Sequence, residues 1–317
     1  MPGQDALSAV LRGIRLTGGV QFCFMPAGAW RTDDRISLGD LTGPLRGVVP
    51  FHIVAEGTCW VRCGHREETL GPGDVVMFPL GCGHQLGAGS GGLILNPLAD
   101  LPSKPGPSVP VLTYGNGKDR IRMICGYLAC DAMEFQPIRE TMPDMVLVRT
   151  HDTGEPGWLA ASVDQIAAEV EHPRAGGRTL LERLTEMLFV ELLRREVASV
   201  PESSSGWIAG LSDPAVGRCL TAIHEDPLRD WTLDGLARTS GASRTVLAER
   251  FHRLLGMPPM KYVRTWRLHL ASRRLIETRD TIAAISHEIG YSTEAAFTRA
   301  FKACFREAPA AWRAART

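Results

Sequence analysis

The sequence predicts an α+β chain of two parts, an N-terminal β-barrel with attached helices and a C-terminal all-α domain. Three observations carry this. The first 130 residues hold short apolar or alternating runs (QFCFM, PFHIVAEG, TCWVRCG, DVVMFPLG, LILNP, RIRMICGYL) separated by Gly, Pro and Asn clusters at spacings of about ten residues, the pattern of a small barrel or sandwich. The last hundred residues hold two copies of a short helix, a glycine turn and a longer amphipathic helix, at about 231–256 and 281–305. Between the two parts, Ser199 to Gly206 is polar, broken by Pro201 and flanked by helical periodicity, which reads as a linker. The expected boundaries are therefore 1–198, with a helical segment at about 155–198, and 207–317.

The charge supports the division. The 317 residues carry 35 basic and 35 acidic side chains, but residues 207–317 hold 17 Lys and Arg against 11 Asp and Glu, a net of +6, leaving −6 on the remainder. The basic part can neutralise phosphates; the acidic part would be repelled by them. No N-terminal segment has a basic start followed by an apolar core, and no apolar run approaches about 18 residues, so a cytoplasmic chain without a membrane partner is expected.

Within the β part, Gly73-x5-Pro79-x-Gly81-x2-His84 resembles the second motif of cupins, and Phe51 to Gly57 followed by Trp60 resembles the strand pair of cupin-type sensor domains. The resemblance implies a barrel with His84 pointing inward. The His-x-His and Glu ligands of metal-dependent cupin enzymes would fall between about Gly43 and Phe51, a stretch with no histidine or glutamate. His52 lies near but off those positions, and His65 sits in a glycine-flanked hairpin turn. Since about three or four protein ligands are needed, no metal, cofactor or catalytic residue is expected. The alternatives are a His52/His84 site borrowing the Cys82 thiol, or a metal-dependent cupin enzyme fused to a DNA-binding domain. Candidate ligand-binding residues are His52, Trp60, Phe78 and His84.

Six of the eight cysteines (Cys23, Cys59, Cys63, Cys82, Cys125 and Cys130) fall in this part, none in a Cys-x2-Cys pair. Cys59 and Cys63 on one strand face are roughly 13 Å apart, beyond the roughly 7 Å that a disulfide spans. Buried thiols are ordinary small hydrophobes in a reducing compartment. The sharper alternative is redox sensing through Cys23, Cys82 and Cys125. Cys82, in the turn Gly81-Cys82-Gly83-His84, is expected to be exposed, with the neighbouring imidazole lowering its pKa.

Next come two helices, Trp158 to Val170 and Thr179 to Val197, with Leu180, Leu181, Leu184, Leu188, Phe189 or Val190, and Leu192 at helical periods. The second is apolar on more than one face, which fits either core packing or a homodimer contact.

In each C-terminal copy a short helix, Leu233 to Thr239 or Ile282 to Glu288, is stopped by Gly241 or Gly290 and followed by an N-cap, Ser243 in one and Ser292 or Thr293 in the other. Leu247, Phe251 and Leu254, then Phe297, Phe301 and Phe305, face a core. Pro259 to Ile276 reads as one joining helix, with Tyr262, Trp266, Leu270 and Leu275 or Ile276 inward and Lys261, Arg264, Arg267, Arg273 and Arg274 on the surface. Roughly 18 residues span about 27 Å. Successive major grooves lie about 34 Å apart. Two longer helices on this strut can therefore enter adjacent grooves of double-stranded DNA.

Residues from about Val216 to Ala315 resemble the DNA-binding domain of AraC-type (AraC/XylS) transcription regulators. The matches are the WTLDGLA opening, SRTVLAERFHRLLGMPP, Arg267-Leu268 with Ala271 and Leu275, Ile285, Gly290-Tyr291, Phe297, Phe301, Phe305, Pro309 and Trp312. The resemblance implies promoter DNA and RNA polymerase as partners, activation as the commoner behaviour, and a sensor half that reads a small molecule or an oxidant and carries the homodimer contact. Helix direction and the family pattern place Arg244, Thr245, Ala248 and Glu249 in the first copy, and Thr293, Glu294, Ala295, Thr298 and Arg299 in the second, toward bases. Ala248 and Glu249 are weak or unusual readers, so the copy built around Arg299 is expected to dominate base choice.

Overall fold

The computed structural model describes residues 6–32, 47–103, 106, 108–150, 157–201 and 204–316. The stretch 43–46, where the cupin-ligand positions would begin, and positions 202 and 203 of the expected linker lie outside them. The chain forms two compact units. A β unit comprises Arg15–Glu134 and Met142–Glu196; a helical unit comprises residues up to Ile14, Phe135–Thr141 and Val197 onward.

The β unit has two sheets. One has six strands in the order β11-β6-β3-β10-β1-β9: β1 (Leu16–Pro26), β3 (Val48–Glu56), β6 (Val75–Met77), β9 (Val111–Tyr114), β10 (Arg122–Cys130) and β11 (Val146–Val148). The other has five in the order β5-β4-β7-β2-β8: β2 (Trp30–Thr32), β4 (Cys59–Cys63), β5 (Arg66–Leu70), β7 (Gln85–Ala88) and β8 (Leu93–Leu95). The expected barrel therefore takes the form of two sheets sharing one core, with Phe22, Phe24, Val54, Val76 and Met123 from the first meeting Trp30, Val61, Leu70 and Leu86 from the second. Alternation along β4, buried at Cys59, Val61 and Cys63 and open at Arg62, is the half-buried pattern read from the sequence. β3 is buried on both faces over Val48–Phe51, and the helix Trp158–Glu171 lies against it.

The helical unit is built on α1 (Ala6–Gly13), a single turn α2 (Gln136–Arg139), α5 (Trp207–Ser212), α6 (Pro214–Glu225), α7 (Leu233–Ser240), α8 (Arg244–Leu255), α9 (Pro259–Glu277), α10 (Ile282–Glu288), α11 (Glu294–Phe305) and α12 (Pro309–Ala314); α3 (Trp158–Glu171) and α4 (Gly177–Ser199) precede α5 in the chain. The Asp213 carboxylate caps α6 by accepting from Ala215 and Val216 N–H. α1 packs on α6.

The joining helix α9 differs from its expected face in detail. Tyr262, Trp266 and Leu275 are buried as expected, but Leu270 is half-buried, Ile276 exposed, and Val263, Leu268, His269 and Ala271 complete the inner face. A helix packed from both sides buries a wider arc than a single 3–4 stripe suggests. Three of its arginines are structural rather than free. Arg267 donates to the Pro227 and Arg229 carbonyls at 2.7 and 2.6 Å, Arg273 to the Gly13 carbonyl at 2.6 Å, and Arg274 pairs with Asp280 and Glu288 at 3.1 and 3.0 Å.

Candidate nucleic-acid interface and sensor cavity

The two helix-turn-helix copies are built by the same local devices. In the first, the Thr232 hydroxyl accepts from Gly235 N–H to start α7, Gly241 ends it with φ +67°, and the Ser243 hydroxyl accepts from Val246 N–H to start α8. In the second, Thr281 caps α10 through Ala284 N–H, Gly290 turns with φ +89°, and Thr293 rather than Ser292 caps α11 through Ala296 N–H. Gly290 is doubly constrained. Its φ favours glycine, and a Cβ there would come within 2.9 Å of the Arg267 guanidinium. Leu247, Phe251 and Leu254 bury one face of α8; Phe297 and Phe301 bury that of α11, with Phe305 half-buried against Trp312 at 4.7 Å between ring centroids.

What remains outward is the set chosen from sequence. Arg244, Thr245 and Glu249 are exposed and Ala248 half-exposed on α8; Thr293, Glu294, Ala295 and Arg299 are exposed and Thr298 half-exposed on α11 or at its cap. Two of these are already engaged. Arg244 pairs with Asp234 at 3.3 Å, and Thr293 spends its oxygen on the cap. Among the described residues Arg299 makes no ion pair or side-chain hydrogen bond, so its donors are available to a ligand.

In the β unit a cavity of about 480 Å³ opens between the sheets, lined mainly by apolar groups such as Phe22, Phe24, Leu86, Leu95 and Leu98, with His52, His84, Cys82 and Cys125 on its wall. Register places the polar cluster. His52 on β3 is the direct cross-strand partner of Cys125 on β10, so their side chains share a face. His84 enters from the turn before β7. Its ring stacks on Phe78 with centroids 3.6 Å apart and planes 5° from parallel.

The resulting chain runs Cys125 Sγ to His52 Nδ1 at 3.0 Å, His52 Nε2 to His84 Nε2 at 2.8 Å, and His84 Nδ1 to the Cys82 carbonyl at 3.1 Å. A carbonyl only accepts, which fixes every proton. His84 donates from Nδ1 and accepts at Nε2; His52 donates from Nε2 and accepts at Nδ1; Cys125 donates its S–H. Burial holds both imidazoles neutral: His84 is lowered to about 4 and His52, with His84 adding to the effect, falls well below its ordinary value. Burial likewise pushes the Cys125 thiol well up.

The sequence-derived sensor residues separate here. His52 and His84 line the cavity together; Phe78 sits behind His84 without lining it; Trp60 is elsewhere, packed over Gly87 with the Arg62 guanidinium 5.1 Å from its ring. Cys82 departs from its expectation. It is half-buried, donates to the Asp144 carbonyl at 3.2 Å and lies 3.7 Å from the Cys63 sulfur, and burial together with that sulfur contact raises its pKa to about 12 instead of lowering it. Cys23 is buried and raised to about 11. The partnership of Cys125 with His52 was not read from the sequence, because the two are 73 residues apart and only strand register joins them. Nor does the cluster fit a metal. The two nitrogens of His52 are committed to different partners, and among the described residues no group of three or more His, Cys, Asp or Glu is arranged to hold an ion.

Comparison with known proteins accounts for both units. A cupin family model matches residues 5–198 and a helix-turn-helix domain model matches 236–315. A Streptomyces lividans protein described as an AraC-like transcription regulator is 31% identical over 265 residues, covering 80% of this chain and 83% of that protein. The regulator MtrA of Neisseria gonorrhoeae is 26% identical over 98% of both chains. Among solved structures, the DNA-binding domain of AdpA in complex with a target DNA is 26% identical, covers 33% of this chain and 93% of that one, and has a TM-score of 0.31. The chain belongs to the AraC-type transcription regulators, with an N-terminal cupin domain ahead of its helix-turn-helix domain.

Proposed function

We propose that this regulator binds a promoter site with α8 and α11 in adjacent major grooves and changes its engagement of RNA polymerase when the cupin cavity receives a small molecule. The observation that carries this reading is the apolar cavity of about 480 Å³ with a polar cluster on one wall, the form of a small-molecule site. The direct test is to select a binding site from random DNA in vitro, then screen compounds for those that change both thermal stability and affinity for that site. Compounds that bind the cavity but leave both affinity for that site and transcription from it by purified polymerase untouched would overturn it. The regulator acts as an activator in this reading, which transcription from the selected site with purified polymerase checks.

Arg299 is the proposed principal base reader. Arg299→Ala should lower affinity for the selected site by about 1–3 kcal/mol and relax preference at one guanine. Arg244, Thr245, Ala248, Glu249, Thr293, Glu294, Ala295 and Thr298 contribute less, since they are short, engaged or acidic. Arg299→Ala with unchanged gel-shift affinity would remove Arg299 from the interface.

A homodimer through α4 is part of the same reading. Leu180 and Met187 are 37% and 51% exposed on that helix, and with half-buried Leu184 they form a stripe at helical spacing. Light scattering should give a dimer at micromolar concentration and a monomer for Met187→Glu; a wild-type monomer counts against the contact.

A second reading, an oxidant input, is favoured by the 3.7 Å Cys63–Cys82 sulfur contact. Mild oxidation should then block alkylation of both thiols together and alter DNA affinity. Retained alkylation of both would exclude this pair as the input.

A further inference from the structure

We infer that Cys125 is a relay-activated nucleophile, and that the cavity captures a soft electrophile, an α,β-unsaturated carbonyl compound, as a covalent thioether. The inference rests on the reading that this cavity receives the effector, and it names the class of effector.

The cavity offers an incoming ligand little from its histidines. Its polar cluster is consumed internally: both protons and both lone pairs of the two imidazoles are assigned along the chain from Cys125 to the Cys82 carbonyl. The one group in the chain with nothing donated to it is the Cys125 sulfur. It is 2% exposed overall yet lines the cavity, so it is reachable from the cavity and shielded from bulk solvent. A ligand meets a mostly apolar wall with Gln21, Asn96, Ser103 and Tyr127 at a few places on it and one thiol already poised on a base, which matches an electrophile that is apolar apart from a carbonyl oxygen.

The step balances without an oxidant. The sulfur forms a bond to the β-carbon as the carbon–carbon π pair moves toward the carbonyl oxygen. The thiol proton passes to His52 Nδ1 while the His52 Nε2 proton passes to His84 Nε2. The relay then runs backward and delivers one proton to the α-carbon, restoring both tautomers. The product is a neutral thioether heavier by the whole mass of the electrophile.

The resting relay is neutral, which sets the pH behaviour. Burial keeps the thiol protonated and both imidazoles unprotonated through the neutral range. The titratable neighbours acting on these groups are Cys23 and Cys59 around Cys125 and His84 beside His52, so no carboxylate or cation biases the chain. Capture by a concerted transfer is therefore flat in pH, whereas an ordinary solvent-facing thiol gains tenfold per pH unit as thiolate forms.

The test uses the full chain without DNA and N-ethylmaleimide as probe, with site-resolved mass spectrometry of the adducts at pH 5.5 to 8.5. Cys125 alkylation should vary less than about threefold across this range, while Cys304 outside the β unit rises by about tenfold per unit. His52→Gln should slow Cys125 by about 100-fold without exposing Cys130 on the same strand. A Cys125 rate rising in parallel with Cys304, or no adduct at Cys125 while Cys304 is labelled, overturns the inference in the wild-type chain alone, whatever the variant does. Because DNA is absent, failed capture is distinguished from a capture that does not reach the DNA-binding domain.

Discussion

The helical unit should lose about 4–5 kcal/mol of stability between pH 6 and pH 4, well before its carboxylates are titrated out, because two buried histidines must stay neutral in the folded state. His224 and His269 are both buried and both lowered to about 3, His224 by desolvation with His269 adding to it, His269 by desolvation with Arg273 adding to it. The sign follows from proton counting. Below the ordinary histidine value of about 6.5 the unfolded chain takes up protons that the folded chain refuses, so stability rises with pH from about 3 to about 6.5 and is level above it. Each histidine contributes roughly 1.4 kcal/mol per pH unit inside that window. The packing explains the refusal. The Trp207 indole donates to the Tyr262 oxygen at 3.1 Å, and His224 Nε2, 2.9 Å from that oxygen, is the acceptor left for the Tyr262 proton, a bond that needs the imidazole unprotonated there. His269 stacks on Trp266 at 5.1 Å with neither ring nitrogen partnered. Native-state hydrogen exchange of α9 amides at pH 6, 5 and 4 measures the slope, and His269→Leu should reduce it by about half. Protection independent of pH over this interval would show that these rings find water or a counter-charge.

Which features could be read in advance follows from the distance over which their physics acts. The helix-turn-helix copies were legible almost to the residue, since caps, turn glycines and aromatic spacing act within four residues: Ser243 and Thr293 cap as hydrogen-bond acceptors, and Thr232 and Thr281, which the sequence reading did not single out, start the shorter helices in the same way. The strand runs were legible for the same reason. Whether they closed into one barrel was not, because closure depends on pairings between distant strands, and β9 joins β1 in parallel at the edge of one sheet. The cavity chemistry was half legible. His84 stood out by motif, but His52 gained its meaning only from facing Cys125 across β3 and β10. Cys82 misled for a physical reason: adjacency in a glycine turn suggested an activating imidazole, whereas the His84 ring turns its Nδ1 to the Cys82 carbonyl and leaves the thiol against Cys63. Arg267, Arg273 and Arg274 were placed on the surface of the joining helix by periodicity alone, and that each is held by a carbonyl or carboxylate follows only from the fold.

Phe135→Ala should destabilise the helical unit by about 3–5 kcal/mol, the cost of emptying a fully buried aromatic site, although the residue sits in the stretch that sequence assigns to the sensor. Phe135 directly follows the short 3-10 turn Asp131–Glu134 after β10. Its ring is buried edge-on among Tyr262, Trp266 and His269, with centroids 5.3, 5.1 and 5.7 Å away. The next turn of chain is tied in as well, because the Thr141 hydroxyl accepts from the Trp207 backbone N–H at 3.0 Å at the start of α5. A large-to-small change here leaves that hydrogen bond in place and removes only packing, so the loss reads as a cavity. Hydrogen exchange of α9 should fall by the full amount while amides of β3 keep their protection. Thr141→Ala, which removes this bond together with the hydroxyl's own donation to the Pro137 and Ile138 carbonyls, should cost about 1–2 kcal/mol. Equal small losses for both variants would mean that the Phe135 ring is not held in the aromatic cluster. A loss for Phe135→Ala confined to β3 would mean that this segment stabilises the β unit instead.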